Sequence, residues 1–513
     1  MDTILIYFPD TKNYNSVLPY ELVYQEAAIR HKNRNIVLTD GRYEKNIEKI
    51  VLENNNKIKL FIVSTLIKFT SVTVNFQIED GLQKTKQIKN ISNIPVLWTG
   101  LIPTIIPNDL LNNNDIDYIL TGQSDHVLNK FVDGIINNNL DNSIKGLGYK
   151  DHNNELHINK NDNIPDEIDV TNLDYNKINF SKYIHDNTID YLASTGCPNN
   201  CSFCSVPIVY NRKWRHRTVE HIINDIKNFI RSAPNIKNVH FRDDNFMGNK
   251  RFVIEIAKEF IKNNLDIRWS AQTSVNLLKV FSINELKLLK KSGCANISFG
   301  IESGDSYILN KIVKQKTSIT ESLKALKILS DADISPSVTS IISFPFNNNR
   351  DVKKTLKLLM KIKLIYPNLS IYSTFWIPIP KTKLFNEIQE QLDFNNGIEY
   401  LIRHKATPWT SEHTIKKIKI FEQYYFSFSD PLFYKKVPKK ISKKIHIINV
   451  LTYPLIRLRF RIKCTSFLFD GLIILKYIEK IKKRYCIQED KLITNAGVRH
   501  LTSNQNFGYK LKD

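Results

Sequence analysis

Cys197, Cys201 and Cys204 stand in Ser194-Thr-Gly-Cys-Pro-Asn-Asn-Cys-Ser-Phe-Cys-Ser205, a C-x3-C-x2-C spacing that follows directly on the mostly apolar run Ile189–Ala193. Three thiolates on one short loop after a strand can hold three corners of a cubane iron-sulfur cluster, whereas a complete set takes four cysteines. The fourth iron is then open to chelate a substrate or cosubstrate. The competing reading is a structural zinc site, normally closed by four ligands, for which His216 and His221 follow closely in sequence. No second cysteine pair accompanies them, and Cys294, Cys464 and Cys486 are scattered, so no disulfide framework is expected.

These residues need a scaffold, and the pattern supplies one. From Thr188 to Leu392 strands and helices alternate, and the distinctive residues fall after the strands, as in a barrel of parallel β/α units. Val239-His-Phe-Arg-Asp-Asp-Asn-Phe246 holds Asp243, Asp244 and Asn245, residue types that could cap a helix at a strand-to-helix turn. Trp269–Ser274 and Gly293-Cys-Ala-Asn-Ile-Ser-Phe-Gly-Ile-Glu-Ser303 read as further strands; Cys294 reads as a packed small hydrophobe. Upstream, Ile4–Phe8, Asn35–Leu38, Lys59–Ser64, Pro95–Trp98 and Asp117–Leu120 read as strands, with helices over Glu21–Arg30, Glu44–Glu53, Asn108–Leu111 and Asp125–Ile136. Near-continuous apolar strands between helices predict a doubly wound parallel sheet that binds ligands at its carboxyl edge. From Lys145 to His185 an Asn-, Asp- and Lys-rich stretch reads as a linker, or alternatively as a small hairpin.

The cysteine spacing, with Phe203 beside its last member, and the Val239–Phe246 and Gly293–Ser303 segments resemble the radical S-adenosylmethionine (radical SAM) superfamily. The resemblance implies an incomplete (β/α)6 TIM-like barrel and a 4Fe-4S cluster whose open iron takes the amino and carboxylate groups of SAM. It further implies Asp243, Asp244 and Asn245 near the SAM amino group, and Gly300, Glu302 and Ser303, with Lys311 or Lys314 beyond, at its ribose and methionine parts. Two later motifs depart from the family: Ile341-Ile-Ser-Phe-Pro-Phe346 stands where Gly-x-Pro is usual, and Lys381 replaces a glycine after proline. Lys381 could meet an acidic substrate group or be a solvated turn residue.

Pro95–Leu111 and Ile116–Asp125 resemble the cobalamin-binding domain that precedes the core in one subgroup of that superfamily. There the Gly100 and Gly122 regions would line the cofactor, and Ser64-Thr65 would form a polar turn after the third strand; small residues let a bulky planar ligand approach the backbone. The Asp-x-His-x-x-Gly motif for a lower histidine ligand is absent from residues 1–145, where neither His31 nor His126 fits. Either cobalamin binds without that ligand or the domain keeps the fold alone. The expected organisation is a cobalamin-binding-like domain over 1–145, a linker over 146–185, a radical SAM core over 186–395 and a helical basic region over 396–513.

The implied function is cobalamin-dependent methylation of an unactivated carbon in a small-molecule or lipid substrate, using an external electron donor. A radical SAM enzyme that forms or rearranges carbon-carbon bonds, and a non-enzymatic cluster-bearing sensor, are the alternatives. A methylthiotransferase would need N-terminal cysteines for an auxiliary cluster, and none precedes Cys197. Of the net charge of +22, the stretch Lys435–Arg484 holds +13, with fifteen lysines and arginines against Asp470 and Glu479. Its apolar runs Ile445–Ile456 and Phe467–Ile478 are too short to span a bilayer, so a peripheral helix on an anionic membrane is expected over nucleic acid, with a solvated basic face as the simpler reading. The start of the sequence lacks a secretory h-region, which points to the cytoplasm.

Overall fold

The computed structural model describes residues 2–11, 17–54, 57–65, 74–162, 165, 168, 173–314, 317–345, 350–392, 394–403, 411–431, 439–466 and 468–484. Phe346, Cys486 and parts of the expected linker and of the basic stretch lie outside the described residues.

In chain order the first elements are β1 (Asp2–Phe8), α1 (Tyr20–Ile29), β2 (Arg34–Asp40), α2 (Ile47–Glu53), β3 (Ile58–Ser64), α3 (Val74–Ile91), β4 (Val96–Thr99), α4 (Leu101–Ile105), α5 (Pro107–Leu111), β5 (Tyr118–Leu120), α6 (Asp125–Ile136), β6 (Leu147–Lys150) and β7 (Leu156–Ile158). Then follow β8 (Thr188–Tyr191), β9 (Ser194–Gly196), α7 (Val206–Tyr210), β10 (Trp214–His216), α8 (Val219–Ser232), β11 (Asn238–Phe241), α9 (Lys250–Lys262), β12 (Arg268–Ser274), α10 (Val275–Leu278), α11 (Ile283–Lys291), β13 (Cys294–Glu302), α12 (Ile319–Asp331), β14 (Ser335–Ile342), α13 (Arg350–Ile365) and β15 (Ser370–Phe375). The chain closes with α14 (Lys383–Ile388), α15 (Gly397–Arg403), α16 (Glu412–Ile420), α17 (Lys439–Arg461) and α18 (Phe469–Arg484). It divides into two compact units, Met1–Asn245 with Pro378–Lys405, and Phe246–Ile377 with Ala406–Asp513.

In the first unit, β1 is buried from Thr3 to Phe8 and β3 from Leu60 to Ser64, because helices cover both faces of the sheet. Its strand order is β2-β1-β3-β4-β5-β6-β7, parallel from β2 to β5. The order 2-1-3-4-5 has its topological switch point between β1 and β3, so the carboxyl end of β3, at Ser64-Thr65, borders the crevice where such sheets bind ligands. β6 and β7 add an antiparallel hairpin, so the first part of the expected linker is the hairpin alternative. The same unit holds the parallel pair β8–β11 and the antiparallel pair β9–β10. Its returning segment packs an aromatic triad, Phe385, Phe394 and Tyr400, and the Gly397 amide donates to Asp109 on α5 at 2.9 Å.

The second unit is built on β12-β13-β14-β15, all parallel. Two helices there start with reciprocal capping boxes, Ser282 with Glu285 and Ser318 with Glu321. Counting the parallel pair β8 and β11 of the first unit, the chain has six parallel strands alternating with helices, the number that the (β/α)6 TIM-like barrel implied by the resemblance requires.

Candidate active site

The cysteine loop is built by a glycine and three residues from the end of β11. Gly196 adopts φ +82°, and a Cβ there would lie 2.0 Å from the Lys213 carbonyl oxygen, so only glycine lets the strand pair closely with Trp214 before Cys197. Asp243 is fully buried and accepts hydrogen bonds from the Ser194 amide and hydroxyl and, at 3.4 Å, from the Ala193 amide. Asp244 Oδ2 accepts from the Gly196 amide at 2.9 Å, and Asn245 Nδ2 donates to Cys197 Sγ at 3.3 Å. The Asn245 carbonyl in turn accepts from the Trp214 indole at 2.8 Å. These three residues therefore reach back to the loop that carries the thiolates. They do not cap α9, whose N-cap is Asn249.

Cys201 and Cys204 bracket a turn closed by Cys204 N–H to Cys201 O at 3.2 Å, with Phe203 half-buried on it. Leu384 at the start of α14 donates its amide to Ser202 O at 2.9 Å, so the returning segment holds the loop from outside. Burial pushes the Cys197 thiol above its ordinary value, while hydrogen bonds from Asn199 and Asn245 favour the thiolate. None of the three cysteines is in a disulfide.

A single tetrahedral zinc, with Zn–S near ~2.3 Å, needs its sulfurs roughly 3.8 Å apart. Among the described residues the one group of three metal-binding side chains with ligand atoms within 4.8 Å is Asp151, Glu155 and His157; the three thiols form no such group. His216 Nδ1 lies 2.8 Å from Arg217 O, and His221 Nδ1 lies 2.7 Å from Thr218 Oγ1 on the first turn of α8. Nδ1 of each histidine is thus engaged on its own segment, while three thiols on one loop can serve three corners of a cubane.

A cavity of about 330 Å³ opens beside Cys201 and Cys204, with Asn200, Arg212, Lys381 and Lys383 among its walls. Lys381 has φ +65° and donates its ammonium to Thr104 O of α4 at 2.9 Å. Burial pulls that ammonium down to about 8. Lys381 is an exposed turn residue, as the solvated-turn reading expects, and its ammonium also reaches a backbone carbonyl of the doubly wound domain, a link sequence could not show across that separation.

The other predicted cofactor residues of this unit cluster at the carboxyl ends of β3, β4 and β5. Gly100 has φ +98°, and a Cβ there would meet Thr65 O at 2.2 Å, so its glycine is required by the neighbouring turn. Thr65 Oγ1 donates to Thr99 O at 2.7 Å; Thr104 Oγ1 donates to Gly100 O at 2.6 Å and accepts from the Gly122 amide at 2.7 Å. Gly122 also approaches Val209 O of α7, the helix that follows Cys204. Among the described residues, the buried oxygens without a hydrogen-bond partner here include Ser64 Oγ, Asn161 Oδ1 beside Gly122, and Oε1 of Gln25, whose amide nitrogen donates to Thr99 Oγ1 at 2.7 Å. His31 follows the end of α1, and His126 lies in the first turn of α6.

In the second unit, Gly300, Glu302 and Ser303 lie at the carboxyl end of β13. Glu302 is left-handed at φ +52°, and its side chain folds over Gly300. Ser303 is fully buried, with its hydroxyl 3.4 Å from Thr355 Oγ1 and accepting from the Asp305 amide at 3.1 Å. Lys311 belongs to the helical segment Ile308–Val313, and Lys314 is its left-handed C-cap. Cys294 is 1% exposed at the start of β13, as a packed hydrophobe.

Burial pushes Glu302 up to about 7. A carboxyl raised in the folded state contributes stability that is full below its unfolded value near ~4.3 and is lost as pH rises through the folded value. Urea unfolding of the apoprotein should thus show stability falling by up to about 3 kcal/mol over that window. Glu302→Gln should remove this slope, and an unchanged slope in the variant would contradict the assignment. A second expectation concerns Asn245. Removing its N–H to sulfur hydrogen bond should make a cluster on Cys197 harder to reduce, and outer-shell changes typically cost about 10-fold or more in activity. A spectroscopic redox titration of Asn245→Leu should show a more negative potential, and an identical potential would count against the role given to this residue.

Residues 191–359 match the Radical SAM superfamily. An uncharacterized methyltransferase of Pyrococcus horikoshii is 28% identical over 381 residues, covering 72% of this chain and 77% of that protein. Among solved structures, the radical SAM methyltransferase TsrM of Kitasatospora setae, with cobalamin and a [4Fe-4S] cluster bound, superposes with a TM-score of 0.64 at 14% identity, covering 76% of this chain and 75% of that one. The cobalamin-dependent SAM radical enzyme OxsB, with aqua-cobalamin and SAM bound, gives 0.62 at 15% identity over 98% of this chain and 77% of its own. At these identities the two structures establish the shared fold.

Proposed function

We propose that this chain, an enzyme with a radical SAM core, methylates an unactivated carbon of a small organic or lipid substrate with the help of cobalamin. The observation that carries the reading is the junction inside the first unit. The turns at the carboxyl ends of β4 and β5 meet α7 directly after Cys204 through Gly122, and Lys381 beside the cysteine cavity is bonded to Thr104. A ligand seated at the carboxyl ends of β4 and β5 would thus lie next to the cysteine loop.

The residues fit both groups. Cys197, Cys201 and Cys204 would hold the cluster, leaving one iron for SAM. Ser64 and Gln25, with their partnerless buried oxygens, would hydrogen-bond an edge of cobalamin, and Thr65, Gly100 and Gly122 would shape its floor. When bound, these cofactors supply the electron that cleaves SAM to a 5′-deoxyadenosyl radical and the methyl group that the substrate radical collects. The protein's part is positional. Asp243 and Asp244 fix the backbone from Ala193 to Gly196, Asn245 donates to the Cys197 sulfur, and the Phe385, Phe394 and Tyr400 triad packs the segment that covers the loop. Anchoring the loop through buried charge-assisted hydrogen bonds keeps the thiolates in place while the cluster changes charge.

The substrate identifies itself by mass. Anaerobic incubation with methyl-labelled SAM, reductant and a cell extract as the substrate pool should place label on carbon in an extractable product. Release of 5′-deoxyadenosine without label transfer would replace the reading with a radical enzyme that forms or rearranges carbon-carbon bonds.

A further inference from the structure

We infer that α17 and α18 form a peripheral docking surface for an anionic lipid bilayer. The observation is that α17 is apolar on two separate faces. One face, Ile445, Ile448, Asn449, Thr452, Ile456 and Phe460, is buried, and the helix packs against α13, where the Arg457 guanidinium donates to the carbonyls of Lys363 and Leu364. The packing of a surface helix into its own unit needs only that face.

The second face is exposed. Ile447, Val450, Leu451, Leu455, Leu458 and Ile462 recur at helical spacing, and Leu451 is 69% and Ile462 66% exposed. From Ile447 to Ile462 the stripe runs roughly 22 Å at 1.5 Å per residue. Scattered exposed apolar residues are ordinary, but a continuous stripe rimmed by polar residues marks an interaction surface. α18 adds Leu472, Ile473 and Tyr477, each exposed by 44% or more.

Charge identifies the occupant. Lys439, Lys443 and His446 lie exposed toward one end of the stripe, Arg461 and Lys463 toward the other, and Lys476 and Lys480 are exposed on α18. A stripe of large aliphatic residues flanked by cations is the pattern of a helix lying in a bilayer interface, with apolar side chains among acyl chains and cations at anionic headgroups. Nucleic acid would be met by the cations and would leave the leucines facing water. Among the described residues no helix is long and apolar enough to cross a membrane, so the contact is peripheral. The inference does not depend on the reaction proposed above, although it would bring the enzyme to the phase in which a lipid substrate resides.

The test uses the full chain, reconstituted anaerobically, with phosphatidylcholine vesicles with and without phosphatidylglycerol. Co-sedimentation at low salt is expected with the anionic vesicles, weakening as salt rises. Leu451→Glu combined with Leu455→Glu should lower the bound fraction at least about tenfold, since two carboxylates would have to enter the interface. Far-UV circular dichroism and 5′-deoxyadenosine release from SAM should be retained, because neither position faces the buried side of α17. Lys443→Ala with Lys463→Ala should reduce the salt-dependent part of binding. Absence of sedimentation with anionic vesicles, or binding indifferent to the double glutamate variant, would overturn the proposal. So would light scattering that shows a dimer converted to monomer by that variant, which would assign the stripe to a second copy of this chain.

Discussion

Cys201→Ala is expected to lower 5′-deoxyadenosine formation from SAM by at least about three orders of magnitude, because no alternative route to the radical exists once the cluster is lost. Iron should fall from ~4 per chain toward zero with it, since two thiolates on a short loop cannot retain a cubane. Cys201 is suited to this test because it lines the cavity and lies on an exposed-side turn, so its removal leaves the core of the unit intact. Circular dichroism of the apoprotein should match the parent. Cys294→Ala serves as the control: Cys294 is buried at the start of β13 in the other unit, with its thiol pushed well up by burial, and its removal should leave both iron content and radical formation in place. A Cys201→Ala variant that still binds a full cluster would show that the ligand set has been assigned wrongly.

The second large effect is on stability. Asp243 has no exposed surface and receives two amides and one hydroxyl from Ala193 and Ser194. Asp243→Ala leaves those donors buried without an acceptor, each a penalty of about 1–3 kcal/mol, and the total should reach roughly 3–5 kcal/mol. Against typical stabilities of about 5–15 kcal/mol that is a large share. Asp243→Asn keeps one acceptor oxygen and should lose about half as much. Denaturant unfolding of the apoproteins would measure the difference. The same variants separate the residue's two expected roles, because SAM affinity in a folded Asp243→Asn protein should change little if the carboxylate acts on the loop alone.

The doubly wound sheet was legible where burial on both faces makes a strand read as one apolar run, as in Ile4–Phe8 and Lys59–Ser64. Helix α3 was not, because much of what it buries is polar. Gln77, Lys84 and Thr85 lie inside with Ile78 and Ile88; Thr85 accepts from the Trp98 indole at 3.1 Å, and Lys84 donates to Lys45 O at 2.8 Å. Hydropathy periodicity cannot register a face made of satisfied polar groups. The cysteine loop was evident from spacing because its residues are adjacent in the chain. Asp243 and Asn245 were noticed for the right place and read toward a ligand or a helix cap, since their partners, Ser194 and Cys197, lie almost fifty positions away. Gly196 carried a usable signal: a glycine immediately before the first cysteine, in a strand, marks a close backbone approach. Lys381 carried only its departure from the usual glycine. Its left-handed backbone explains why glycine would be comfortable there, and its bond to Thr104 could not be read without the fold.

One chain of this protein should hold two cofactors within its first unit. Anaerobic reconstitution with iron, sulfide and cobalamin, followed by quantification of all three on the same desalted sample, tests that directly. About four irons, four sulfides and one cobalt per chain are expected, with cobalt lost and iron retained in a Ser64→Leu variant that fills the polar crevice. Stoichiometric iron and sulfide with no retained cobalt in the parent protein would contradict the cobalamin-dependent methyl transfer proposed here.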